Sequence, residues 1–382
     1  MSTLDPIISQ IKSGNYSDKK QLTQYLLYGI KNGKIRLTQD DKTAVLECVY
    51  VEVNALLSAI PSAESYKVKD SLFDFEDVLL GLVMQICSSP DEIPEHILAS
   101  IKLLVETVDK ERYVENAIDV LFKQDRIDKD DVVGLLSMVY ECNDEYQKGR
   151  LYVGLIHYVR EGGLSKLTED AKTALSNYIA SEMKRYISSD NLCDEIKDNL
   201  ELIADVCKHF PSDAVINLLY ELLKLGNNRI NYFAVESLLV LSQRIPSEII
   251  DALANDLLYA DSTHNLLERH GKADLFPQEL KDPVYLAKSD MVQWLAYPTE
   301  LGKAPDKIEY IGKIKYLFKK EVFHVFKYCS DSDNLEDELK NQWLIGWSSN
   351  EGGTFSNFDK YSLFEKDTTE KTLKNIKKKL IG

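Results

Sequence analysis

The sequence lacks the short motifs that mark the common catalytic and nucleotide-binding sites. It contains no Walker A loop, no GxSxG nucleophile turn, no HExxH pair, no GxGxxG after a strand and no EF-hand loop. The glycine-rich "NEGG" at 350–353 has neither the lysine nor the helix start of a phosphate loop, so it predicts a turn. With these signals missing, the sequence predicts a non-catalytic protein that needs no cofactor.

Cysteine is sparse and shows no pairing pattern. The six cysteines are scattered without a CxxC spacing, mostly in apolar helical stretches such as "GLVMQIC", which indicates reduced core residues. The start, "MSTLDPIISQIKSG", lacks the basic segment and apolar block of a signal peptide. No apolar run approaches the roughly 20 residues that cross a bilayer. We therefore expect a soluble cytoplasmic protein without a membrane partner.

Basic residues are outnumbered by acidic ones, and the formal net charge is −16. Such a surface repels nucleic acids and anionic membranes, because binding either one needs basic groups that displace counterions. A basic protein is the electrostatically favoured partner. Acidity also serves solubility alone, so both interpretations stay open.

Two kinds of internal repetition run along the chain. The phrase "RLTQDDKTAV" at 36–45 is echoed by "KLTEDAKTAL" at 166–175. At a constant offset of 35 residues, 201–223 aligns with 236–258, placing Val215 over Ile250 and Leu222 over Leu257. The apolar spacings of three to five residues put these side chains on one helical face.

Helix-start signals recur at a drifting period. They occur at Pro94, Asp128, Thr168, Pro211 and Pro246, in steps of 34, 40, 43 and 35 residues. Proline is accepted at a helix start because the first N–H groups have no partner within the helix. A drifting period of this length is typical of stacked helix pairs.

This two-helix repeat resembles the HEAT/armadillo-like superfamily over about residues 20–290. The resemblance implies a curved, right-handed α-solenoid of helical hairpins, whose concave face holds a ligand that is often another protein. It implies no particular activity. We assign 1–290 to this predicted solenoid.

The character of the sequence changes near residue 270. Glycine and proline become frequent through 271–305, which predicts a connecting region with a short helix at Ser289–Ala296. The segments at 307–318 and 320–328 predict strands, and the second is apolar on both faces. A further hairpin is predicted from 341–349 and 354–358, followed by a short helix from 370. The predicted fold is therefore mainly α, with a small α/β module of antiparallel strands plus a helix at 291–382.

Two groups of residues are candidates for a binding surface. Asn228, Arg229, Asn231 and Tyr232 occur where one helix gives way to its partner, a position where solenoids present donors and rigid aromatic groups. Turn and cap residues are the alternative interpretation. The second group contains the densest aromatic residues, which suit either a binding hot spot or a small β core: Trp343, Trp347, Phe355 and Phe358.

One stretch, "HNLLERH", has a weak metal-binding pattern. His264 and Glu268 are four residues apart on one helical face, and His270 suits a third ligand only if the helix ends before it. Ordinary polar residues near a helix C-terminus explain this pattern better, so the sequence predicts no metal site.

We expect a protein-binding helical-repeat protein, in its most specific form an acidic inhibitor or immunity-type protein that sequesters a basic partner. The alternative is a HEAT-like nucleic-acid-binding protein or DNA-repair glycosylase, which needs a basic groove, but no lysine or arginine stripe recurs at the repeat period. A repeat-type lyase or cofactor chaperone is a third class, and no acid–base pair marks it. The sequence assigns no oligomeric state.

Overall fold

The structure is a computed structural model that describes residues 4–189, 192–297, 300–316, 321–348, 364 and 369–381. In these residues the protein is mainly helical, with one small antiparallel sheet. The chain divides into two compact units, Met1–Phe210 and Pro211–Gly382. Each unit is described by itself.

The first unit is built from ten described helices joined by short connections. They are α1 Asp5–Ser13, α2 Tyr16–Lys31, α3 Gln39–Ser62, α4 Tyr66–Ile86, α5 Glu95–Glu111, α6 Tyr113–Phe122, α7 Lys129–Cys142, α8 Glu145–Arg160, α9 Glu169–Ile187 and α10 Asp194–Cys207.

The repeated phrase at 36–45 and 166–175 marks two helix starts, as predicted. Thr38 caps α3, and its side chain exchanges hydrogen bonds with Asp41 in a capping box. Thr168 caps α9 by accepting a hydrogen bond from the Ala171 N–H at 3.3 Å. The second copy has alanine where the first has aspartate, so it keeps the cap and loses the box.

An apolar core cluster joins the first five helices. Phe73, Phe75, Leu56 and Ile60 from α3 and α4 are each at most 1% exposed within it.

By length and composition, one described helix, α3, could cross a membrane, with a mean hydropathy of 1.5 over 18 residues. A core helix meets the same criterion, and α3 contributes much of this cluster. The expectation that no segment reaches this length counted only uninterrupted apolar runs, whereas α3 also carries polar residues.

The second unit contains five helices, a sheet and a closing helix in its described residues. They are α11 Asp213–Leu223, α12 Asn228–Val240, α13 Ser247–Asn255, α14 Ala260–Arg269, α15 Pro283–Leu295, β1 Lys307–Tyr316, β2 Glu321–Cys329, β3 Leu344–Ser348 and α16 Thr369–Ile381.

The helix expected at Ser289–Ala296 was placed too late. It begins at Pro283, because proline fits the first helical position and the Asp282 side chain accepts a hydrogen bond from Val284 N–H. The predicted domain boundary at residues 290 and 291 falls inside this helix, α15.

The three strands pair antiparallel in the order β1-β2-β3, with a bulge at Ile311. On one face, Ala287, Met291 and Leu295 of α15 pack in one cluster with Phe326 and other sheet residues. On the other face, Ile376 of α16 joins a cluster that includes Trp347. The strand predicted to be apolar on both faces, β2, is thus covered on both. The predicted turn at 350–353 and strand at 354–358 lie outside the described residues.

A buried aspartate, Asp261, lies at the contact between α14 and α15. The N–H of Asp261 donates to Ser289 Oγ at 2.9 Å, and its carboxyl group accepts from Asn265 Nδ2 at 2.8 Å. Burial, reinforced by the charge of Asp290, raises the pKa of Asp261 to about 7. Asp261 therefore keeps its proton in the folded state at pH values where the unfolded chain has lost it.

We expect Asp261→Asn to stabilise the protein at pH 8 and to have little effect at pH 4. Between these pH values the folded state binds more protons than the unfolded state, so wild-type stability falls as pH rises to about 7. The gain at pH 8 should be on the order of 1–3 kcal/mol in urea unfolding. Asp251→Asn, on the exposed face of α13, is the control. An equal effect of Asp261→Asn at both pH values would contradict the assignment.

Candidate functional site

The first predicted surface, at the start of α12, is occupied by internal contacts. The side chain of Asn227 caps the helix, and Asn228 Nδ2 donates to Asp256 Oδ2 at 2.9 Å. Asn231 is 1% exposed, and the ring of Tyr232 lies 6.0 Å from that of Tyr259. Arg229 lies half-buried beside them. The structure brings the four candidates to one helix start, where Asn228 and Tyr232 contact residues outside α12.

The two tryptophans of the second predicted surface have different environments. Trp347 is 4% exposed and packs in the core between the sheet and α16. Trp343 is half-buried, and Lys327 Nζ lies 4.3 Å from its ring centroid. Phe355 and Phe358 lie outside the described residues. Trp347 thus serves the small β core, which was the alternative interpretation.

The three residues of the weak metal pattern do not converge. His264 Nε2 lies 3.8 Å from Glu268 Oε1, and the imidazole ring packs edge-on against Phe276. Burial lowers the pKa of His264. His270 caps the C-terminus of α14. In the part of the chain that the structure describes, no group of three or more His, Cys, Asp or Glu side chains is placed to hold a metal ion.

The first turns of α8 carry a buried polar network that sequence reasoning missed. Tyr146, Gln147 and Lys148 are 3%, 4% and 5% exposed. Glu145 receives hydrogen bonds from Tyr186 of α9 and, at 3.1 Å, from Asn199 of α10. The sequence carries one signal of this network. The polar residues of "EYQKGR" are not confined to one face of α8, so some of them must point towards neighbouring helices.

The charges of this network compensate one another. Burial opposes ionisation of Glu145, but the hydrogen bond from Tyr186 and the charges of Lys148 and Arg185 outweigh it and lower its pKa. Arg150 pairs with Asp70 of α4 at 2.9 Å and with Glu115 of α6. These contacts attach α8 to its neighbours, so the network has a structural role and fixes the position of α6.

A groove of about 630 Å³ runs between α6 and α7. On α6 its lining residues recur every three or four positions from Tyr113 to Leu121, Gln124 follows the helix, and on α7 they run from Asp130 to Met138. Tyr113 is 50% exposed and Val120 is 68% exposed. A Cβ atom added at Gly134 would meet nothing within 4 Å, so the middle of the groove is open.

Helix α6 is apolar on two faces. Val114 and Ile118 are buried in the first unit, whereas Tyr113 and Val120 face the groove. A helix in a water-exposed position ordinarily shows a polar outer face. An exposed apolar face beside a groove is typical of a surface that another molecule covers.

The groove has an acidic rim. Asp130 and Asp131 are its only charged lining residues, and Asp131 also belongs to the capping box of α7 with Asp128. From Tyr113 to Cys142 the chain has seven acidic and three basic residues. The local potential therefore favours a cation at the α7 end.

No protein-family model matches the chain, and no curated protein or solved structure matches it. Its function is therefore inferred from geometry. The groove offers apolar contact area and two carboxylates, Asp130 and Asp131. This arrangement suits binding.

We expect opposite effects from adding a methyl group at two helical glycines. At Gly149 of α8 the new Cβ would lie 2.8 Å from Asn199 Oδ1, whose side chain is fully buried, so Gly149→Ala should destabilise by about 1–3 kcal/mol. Gly134→Ala meets open space and should stabilise by about 0.5–1 kcal/mol, because glycine weakens a helix interior. Urea unfolding measures both values, and shifts of the same sign would contradict the packing described for α8.

Proposed function

We propose that this protein is a non-catalytic binding protein, and that the groove between α6 and α7 holds an amphipathic segment of a basic protein partner. The observation that carries the proposal is the exposed apolar face of α6 beside an open groove with an acidic rim. An inhibitor or immunity-type protein that sequesters a cationic protein is its most specific form.

The apolar lining supports a protein segment as the occupant. Val120 and Tyr113 supply exposed area at one side, and Met138 is a flexible side chain that adapts to different partners. Full burial of one such apolar side chain contributes about 1.5–3 kcal/mol. The lining residues follow helical spacing on both sides, which suits a partner helix with apolar residues at similar spacing.

Charge supports a basic partner. The carboxylates of Asp130 and Asp131 at the rim act together with a net charge of −16, which raises the encounter rate with cations. The groove lining has no lysine or arginine, which disfavours a nucleic acid as the occupant.

The α-solenoid arrangement belongs to the same proposal. In the first unit, helices two apart along the chain pack together, as α2 does with α4, α3 with α5, α6 with α8, and α7 with α9. Stacked helix hairpins produce such neighbours. The recurring caps at Pro94, Asp128 and Thr168 are consistent with one hairpin repeated along the unit.

The proposal is tested by selection from a displayed library of random 16-residue peptides on the immobilised full chain. Wild type and Gly134→Ala should enrich sequences rich in Lys and Arg with apolar residues at helical spacing. Gly134→Trp, which fills the groove, should weaken the selected peptides at least tenfold, and all binding should fall as salt rises.

Gly134→Ala is the matched control, because it changes the same position without filling the groove. Enrichment of acidic or featureless peptides would contradict the proposal. It would also fail if the selected peptides bound the Gly134→Trp protein as tightly as wild type, or if the selection enriched no peptide.

A further inference from the structure

A second cavity, of about 740 Å³, lies within the second unit and is independent of the groove. It is formed by the end of α12, the loop 241–246, the start of α13 and the turn after α14. Its volume falls within the range of small-molecule pockets, about 300–1,000 Å³.

The cavity combines an apolar floor with a polar mouth. Leu239, Ile245 and Ile250 are 8%, 5% and 1% exposed and form the floor. Val240 and Leu275 are 46% and 40% exposed and add apolar walls. This lining suits a ligand with an apolar body.

The mouth of this cavity carries cationic side chains, although the protein is strongly acidic. Arg244, His270 and Lys272 line it together with one carboxylate, Asp274. Among the residues that the structure describes, neither Arg244 nor Lys272 has a carboxylate oxygen within 4.0 Å. Two exposed lysines elsewhere in this unit are paired, Lys224 with Glu221 at 2.6 Å and Lys303 with Asp306 at 3.3 Å. The charges at the cavity are thus left available for a ligand.

The loop that carries Arg244 has a defined conformation. Ser242 has φ 57°, in the left-handed region, where it ends α12. The carbonyl oxygen of Arg244 accepts a hydrogen bond from the Tyr220 hydroxyl at 2.8 Å. These two features fix the backbone of the loop and therefore hold Arg244 at the mouth of the cavity.

We propose that this cavity binds a small phosphate monoester with an apolar body. A guanidinium group, an ammonium group and an imidazole donate to phosphoryl oxygens, and Arg244 can do so in a bidentate manner. The hydroxyl groups of Ser242 and Ser247 supply further donors at the same mouth. The apolar floor contacts the body of the ligand.

The test is isothermal titration of the full chain with phenyl phosphate, and with inorganic phosphate, benzyl alcohol and benzoate as partial probes. Phenyl phosphate should bind at least tenfold more tightly than each of the other three. Arg244→Gln and Lys272→Gln should each weaken phenyl phosphate at least fivefold. Arg269→Gln is the matched control, because Arg269 is an exposed cation on α14 that does not line the cavity.

Four results would overturn the assignment. If inorganic phosphate bound as tightly as phenyl phosphate, the result would indicate an adventitious ion only. If benzoate bound as tightly as phenyl phosphate, the site would not be specific for a phosphoryl group. If Arg269→Gln weakened phenyl phosphate binding as much as Arg244→Gln does, the effect would be one of general charge. Absence of phenyl phosphate binding at millimolar concentration would also reject the site. All three variants change exposed side chains, so unchanged melting temperatures should confirm that they fold.

Discussion

The partly buried ion pairs of α8 hold the first unit in the arrangement on which its groove depends. Arg150 contacts Asp70 on one neighbouring helix and Glu115 on α6, while Glu145 is held by Lys148, Tyr186 and Asn199. Removing one partner should cost less than the about 3–5 kcal/mol typical of a fully buried pair, because water partly screens the charge that remains. Because these contacts fix the inner face of α6, Tyr113 and Val120 on its outer face stay exposed beside the groove.

Local signals in the sequence predicted much of the secondary structure. Helix starts at Thr38, Asp128 and Thr168 depend on capping by residues within three positions, which a sequence displays directly. The strands β1, β2 and β3, and the apolar character of both faces of β2, were also predicted from the sequence, whereas the predicted strand at 354–358 lies outside the described residues. The start of α15 was missed because Pro283, at the first helical position, was interpreted as a helix breaker.

The candidate site was not predicted, because it depends on distant pairings. Arg150 and Asp70 are 80 residues apart in the chain, and nothing in their local sequence indicates that they meet. The residues chosen at 228–232 were recognised by type, and the structure uses Asn228 and Tyr232 for internal contacts. The groove could have been suspected from α6 alone, since "YVENAIDVLF" has more apolar positions than one buried face requires.

The central claim is that a basic protein segment binds between α6 and α7. Amide hydrogen–deuterium exchange of the full chain, free and saturated with a peptide it selects, tests that claim most directly. The account predicts slower exchange within residues 113–142 and little change at 228–232. Protection confined to 228–232 or to the second unit, with none in 113–142, would contradict it.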